Sequence, residues 1–503
     1  MKKILIFVVL AAVFTTVSCK NPFLQSMLEG ESSVAEEPSS GSGTISAPYV
    51  EGGASLILSP DKKDICIKVV TADSLPVNVE GCTQTSIPNN RWIVLNALGT
   101  KVVLKGKITQ LYCRNNQLTS LNVQGLTALQ ELYCQNNQLA ALNVQGCSAL
   151  QSLYCNDNQL TSLNVQGCSA LQFLYCRNNQ LAALNVQGCS ALQSLYCNDN
   201  QLISLNVQGC SALQRLNCWK NQLTSLNVQG CSALQFLYCR ENQLTSLNVQ
   251  GCSALQRLSC WKNQLTSLNV QGLTALQELN CQNNQLAALN VQGCSALQSL
   301  YCNDNQLISL NVQGCSALQS LYCNDNQLTS LNVQGCSALQ FLYCRKNQLT
   351  SLNVQGLTAL QELNCQNNQL AALNVQGCSA LQLLYCANNQ LISLNVQGCS
   401  ALQWLYCQEN QLTSLNVQGC SALDVLNCWK NRLDATTFIS IFNALPNRPA
   451  SDGGSCTLYS TGAGEENCTD FTFPSSLQAA FNGAKAKNWK MYKQPESGNA
   501  QEI

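Results

Sequence analysis

The chain has 503 residues, of which 10% are charged, and its 26 Lys plus Arg are balanced by 26 Asp plus Glu. That balance leaves no global field to draw the protein toward nucleic acid or an acidic membrane surface. There is no His, so the usual general base and the commonest metal ligand are missing, and no nucleophile–base pair is visible; neither an enzyme, a cofactor nor a metal site is expected.

Residues 1–18 read as an export signal: Lys2 and Lys3, an apolar run from Ile4 to Phe14, then small or polar residues before Cys19. The run is too short for a spanning helix, so cleavage is expected rather than a helical anchor. The junction Thr16-Val17-Ser18-Cys19 resembles a bacterial lipoprotein lipobox, with Thr where Leu is usual. The resemblance implies that Cys19 becomes the lipid-bearing first residue; ordinary cleavage beside the small pair Thr16 and Ser18 is the alternative. Residues 20–48 are rich in Ser, Gly, Glu and Pro and predict a flexible tether. Between 49 and 107, alternating runs such as Asp64–Val70 and Arg91–Leu95 are broken by Pro76, Gly81, Pro88 and Gly99, which predicts a small β-cap.

From Ile108 a 21-residue unit repeats sixteen times without insertion or deletion, with Cys at every 21st position from Cys113 to Cys428. In the unit Leu150–Ala170 the apolar residues are Leu150, Leu153, Cys155, Leu160, Leu163 and Val165. A short strand would send Leu153 and Cys155 inward and Ser152, Tyr154 and Asn156 outward, and Gln166-Gly167 supplies a turn. One unit cannot bury its inner face, whereas stacked units share a continuous core. The pattern LxxLxCxxNxLxxLxV resembles the leucine-rich repeat in a short bacterial form. The resemblance implies a solenoid arc with a parallel sheet on its concave face, and it implies that Asn116, Asn137, Asn158 and their successors to Asn431 bond the backbone of adjacent turns.

Twelve further Cys, from Cys147 to Cys420, occupy the nineteenth position, where Leu126, Leu273 and Leu357 also stand. Interchange of Leu and Cys marks a buried small hydrophobe rather than a disulfide or a zinc ligand. Four Cys remain outside the repeats and Cys19, and two cap disulfides, Cys66–Cys82 and Cys456–Cys468, are a reasonable pairing because each pair lies within one cap. Residues 434–503 predict a C-terminal cap. Asp434 would cap a helix to about Leu445, a second helix would run from Leu477 to about Ala486, and strands are expected at Cys456–Tyr459 and Trp489–Tyr492.

Variation is confined to the outward strand positions and the two residues after the inward Cys, while LTSLNVQGCSA forms an uncharged, nearly invariant wall. Diversity on one face of a fixed scaffold is the arrangement of a recognition surface. A Tyr stripe including Tyr175 and Tyr196 runs along that face and breaks at Asn217, Ser259, Asn280, Asn364 and Asn427. Around the first breaks lie Arg215, Trp219, Lys220, Phe236, Tyr238, Arg240, Arg257, Trp261 and Lys262, a candidate hot spot for a protein ligand. Mutual stacking of the Tyr rings, and of the cations on Trp, is the competing structural role. Resemblance to bacterial surface leucine-rich-repeat proteins implies adhesion to host proteins or other cells, from an outer-membrane or cell-surface location, with the membrane reached through a lipid anchor alone. Carbohydrate binding on the Tyr and Trp rings, or a surface coat or decoy without a dedicated ligand, are the alternatives.

Overall fold

The computed structural model describes residues 46–503. The export signal, Cys19 and most of the predicted tether lie outside the described residues.

Each 21-residue unit makes one turn of a solenoid. Its third to fifth residues form a three-residue strand, such as Ser152–Tyr154 or Phe173–Tyr175. Successive strands pair in parallel and in strict register, so that Ser152, Leu153 and Tyr154 meet Phe173, Leu174 and Tyr175. Register is locked because a one-residue slip would turn every inward Leu to solvent. Leu150, Leu153, Cys155, Leu160, Leu163, Val165 and Cys168 are all buried, and each large aliphatic among them contributes about 1.5–3 kcal/mol by leaving water. On the opposite side, Asn residues 21 apart, such as Asn227, Asn248 and Asn269, bridge from turn to turn.

Two left-handed positions close each turn. The eighth residue has φ between +50° and +59° in all sixteen units, from Asn115 to Lys430. The eighteenth is Gly in the first fifteen units, for example Gly167 at φ +82°, where any side chain would strain the backbone. Between these corners the ninth-position Asn does the bonding expected of it. Asn158 Oδ1 accepts from Leu139 N at 2.9 Å, and Asn158 Nδ2 donates to Cys134 O and Cys155 O, each at 3.0 Å. Turns too tight for ladder bonds are thereby satisfied by side chains.

Both ends of the stack are covered. Strands β1 (Gly53–Leu58), β2 (Asp64–Thr71), β3 (Val77–Glu80), β4 (Ser86–Ile87), β5 (Trp92–Asn96) and β6 (Lys101–Lys105) build the N-terminal cap. β2 pairs antiparallel with the first repeat strand, Ile108–Tyr112, and β1 with Leu118–Asn122 on the other side of the same unit. The cap therefore extends both faces and removes an exposed edge. Asn116 Nδ2 also reaches Cys66 O at 2.9 Å, carrying the Asn ladder into the cap.

At the other end the last repeat strand, Val425–Asn427, pairs in parallel with Gly454–Ser460, which pairs with Trp489–Gln494. The main sheet runs open from β5 to Gln501–Glu502. Helix α1 (Ala435–Ala444) starts at Asp434, whose carboxylate accepts from Thr437 N at 2.7 Å, and buries Phe438, Ile441 and Phe442. Helix α2 (Ser475–Ala486) buries Leu477, Ala480 and Ala484. Asn467 acts as a further rung of the ladder, accepting from Leu433 N at 2.9 Å and donating to Cys428 O at 2.9 Å.

The two cap disulfides do not form: all four thiols are free. Cys66 is exposed on β2 between the buried Ile65 and Ile67, whereas Cys82 is buried. Cys456 lies in the core, while Cys468 is half-buried and donates its thiol to Asp470 O at 3.3 Å. Membership of one cap does not make two side chains face each other.

Candidate binding face

Parallel register stacks each outward position into a column. In the fifth-position column the Tyr rings lie face to face. Tyr112, Tyr133, Tyr154, Tyr175 and Tyr196 form one run with centres 4.5–4.6 Å apart and planes within 9°. That spacing is slightly under the roughly 4.8 Å between strands, so the side chains converge, as they must on the inner face of an arc. Tyr301, Tyr322 and Tyr343 form a second run, and Tyr385 and Tyr406 a third. Tyr112 donates to Glu131 Oε2 at 3.0 Å. Burial, helped by that acceptor, pushes the Tyr112 phenol up to about 12.

The predicted hot spot spans the sixth, seventh and eighth repeat strands. Arg215, Phe236 and Arg257 are in register, as are Asn217, Tyr238 and Ser259. The guanidinium of Arg240 lies between two indoles, 4.6 Å from the Trp219 ring and 5.3 Å from the Trp261 ring. Lys262 sits 4.8 Å over Trp261, and Arg215 5.3 Å over Phe236. Lys220 pairs with Asp199 at 2.9 Å, which holds its ammonium above the ordinary range, and Arg257 pairs with Glu278 at 3.8 Å. The nine residues therefore do come together, and the cations do stack on the aromatics. Stacking does not spend them: such pairs at exposed sites contribute only about 0.5–1 kcal/mol, and neither Arg215 nor Arg240 has a carboxylate partner among the described residues.

Three atoms in this region escape a reading of the sequence. Asn198 Oδ1, Asn217 Oδ1 and Arg240 Nε are buried without a hydrogen-bond partner. Unpaired buried polar atoms cost about 1–3 kcal/mol each and call for an explanation. Nothing in the letters singles them out, because Asn280 and Asn364, at the same repeat position as Asn217, accept from Gln282 N and Gln366 N.

Comparison of the sequence with protein-family models and with curated proteins gives no match. Solved structures do match. The functional domain of InlJ from Listeria monocytogenes, described as including a cysteine ladder, is 26% identical with a TM-score of 0.53, over 71% of this chain and 76% of that one. YopM from Yersinia enterocolitica WA-314 is 23% identical with a TM-score of 0.52, over 70% of this chain and 83% of that one. The fold is a leucine-rich-repeat solenoid. In this leucine-rich-repeat sheet the variable residues occupy the concave face, and the thiols point the other way, into the core. Burial pushes Cys176 and Cys239 up to about 12, which makes them poor nucleophiles and poor metal ligands. No helix among the described residues is long and apolar enough to cross a membrane.

Proposed function

We propose that this leucine-rich-repeat chain is an exported bacterial surface protein, tethered by a lipid on Cys19, that binds a protein of a host or of another cell through its concave face. The observation that carries the reading is the patch around Arg240. It combines half-buried Trp219 and Trp261, two guanidiniums free of carboxylates, and three buried polar atoms that await partners. Trp, Tyr and Arg in partly desolvated settings dominate protein interfaces. Similarity to the InlJ functional domain supports a protein-interaction scaffold. A glycan reading is disfavoured because most Tyr rings cover one another and leave mainly edges and hydroxyls to solvent.

The test compares binding of the chain to a panel of extracellular-matrix proteins and to a glycan array with that of a variant carrying Arg215, Trp219, Arg240, Arg257 and Trp261 replaced by Ser. A matrix-protein signal that disappears in a variant with an unchanged circular dichroism spectrum supports the reading. Equal signals from both chains remove the patch, and silence from both favours a coat or decoy.

A further inference from the structure

The Tyr ladder has two single-rung gaps. At Asn217 one rung is missing between Tyr196 and Tyr238, and at Asn364 one is missing between Tyr343 and Tyr385. On the ladder's own 4.6 Å step, the rings bordering each gap stand about 9 Å apart, two strand spacings. A planar ring placed midway would meet both neighbours at the separation the ladder already uses, within the range of favourable aromatic stacking. The opening at Ser259 and Asn280 is two rungs wide, so one ring there cannot touch both walls.

The two narrow gaps differ in their floors and rims. Asn364 Oδ1 is occupied by Gln366 N at 3.3 Å, and its rung carries Glu362, whose nearby negative charge adds to burial in raising the Tyr343 phenol pKa. Asn217 Oδ1 is buried with no donor, and its rung carries Arg215. Arg240 Nε, one rung on, is also unpartnered. Rotation of the Asn217 amide turns its oxygen or its nitrogen toward the gap, so the floor can meet an incoming hydroxyl.

Resting on the protein-binding reading above, we infer that the Asn217 gap is a slot for a tyrosine side chain presented by an acidic loop of the partner protein. The ring completes the stack between Tyr196 and Tyr238, its hydroxyl bonds the Asn217 amide, and flanking carboxylates meet Arg215 and Arg240. The apolar ring alone would suit both gaps; the cationic rim and the unpaired acceptor select the first.

The protein supplies its own plug and its own control. Tyr occupies eleven of the sixteen rungs, so Asn217→Tyr fills the slot with a residue the ladder accepts, and Asn364→Tyr does the same at the other gap. The probe is the blocked pentapeptide Asp-Glu-Tyr-Glu-Asp, followed by saturation-transfer NMR on its ring protons with the full chain. Binding is expected for the parent and for Asn364→Tyr, with at least a tenfold loss of affinity in Asn217→Tyr and for the peptides Asp-Glu-Ala-Glu-Asp and Lys-Lys-Tyr-Lys-Lys. Parent-like binding by Asn217→Tyr, equal loss in both variants, or no transfer to the peptide with the parent overturns the slot. If matrix-protein binding is lost in the five-Ser variant but survives Asn217→Tyr, the slot falls while the binding face stands. Loss of neither removes both.

Discussion

The thiol of Cys294 donates to the carbonyl oxygen of Val270, one unit earlier, at 3.2 Å. The contact recurs along the nineteenth-position column, for example from Cys147 to Val123 and from Cys378 to Val354, each at 3.2 Å. Cys302, in the sixth-position column, is equally buried and makes no side-chain hydrogen bond among the described residues. A hydroxyl can replace the first thiol and keep an acceptor, whereas at the second it would be buried unpaired. Cys294→Ser is expected to cost under about 1 kcal/mol, and Cys302→Ser about 1–3 kcal/mol. Urea unfolding of the two variants checks the order; a larger loss at Cys294 would contradict the assignment of that column's bonds.

Free cap thiols and buried ladders make a second expectation. Cys66 is exposed and Cys468 half-buried, while the ladder Cys are buried with raised thiol pKa values. Titration of the folded chain with a thiol reagent should modify Cys66 quickly and Cys468 more slowly, and reach the ladders only with denaturant. Failure of Cys66 to react under non-reducing conditions, with reactivity restored by reductant, would show that it is oxidised.

The period of 21 made the solenoid legible, because inward Leu and Cys positions never drift and each Asn of the ladder falls at the same place in its unit. The concave column was legible for the same reason: Trp219, Arg240 and Trp261 are 21 apart and had to be neighbours. Whether Arg240 would stack or point free was not legible, since that depends on rotamers. Asn467 was hidden because a helix intervenes after Asn431 and breaks the spacing, though its backbone bonds match those of Asn158. The unpaired oxygen of Asn217 was hidden too, because the same residue type is satisfied at Asn364 by a neighbouring Gln. Pairing of the cap cysteines failed for want of direction: sequence proximity says nothing about which side of β2 a side chain leaves.

The ladders also set a pH limit. Burial raises Cys155 and Cys197 well above the ordinary thiol value of 9.0, and Cys176 and Cys365 to about 12. A thiol whose pKa is higher when folded holds its proton more tightly in the folded state. Its contribution is complete below pH 9 and is lost as pH rises toward 12, at up to about 1.4 kcal/mol per pH unit for each thiol. Many thiols share one cooperative stack, so the denaturant midpoint should fall steeply between pH 9 and 11 in reducing buffer. A flat midpoint across that window would mean that the thiols are not protected from ionising as the folded chain requires.

Glu241 separates stability from recognition most cleanly. It holds the left-handed corner of its unit at φ +53°, a conformation that costs an ordinary side chain about 1–2 kcal/mol and that Asn tolerates well. Ten of the sixteen corners are Asn or Asp, yet three consecutive units carry Lys220, Glu241 and Lys262 there, and Lys346, Glu409 and Lys430 hold corners nearer the C-terminus. Strain accepted at three successive corners around Arg240 is what side chains retained for what they meet would show. Glu241→Asn should therefore stabilise the fold by about 0.5–1 kcal/mol in urea unfolding. Removing a carboxylate beside Arg240 should also tighten binding of the acidic tyrosine peptide severalfold, and increasingly so at low salt. Stabilisation without any change in binding would assign the corner charges to solubility and leave the slot to Asn217 and Arg215.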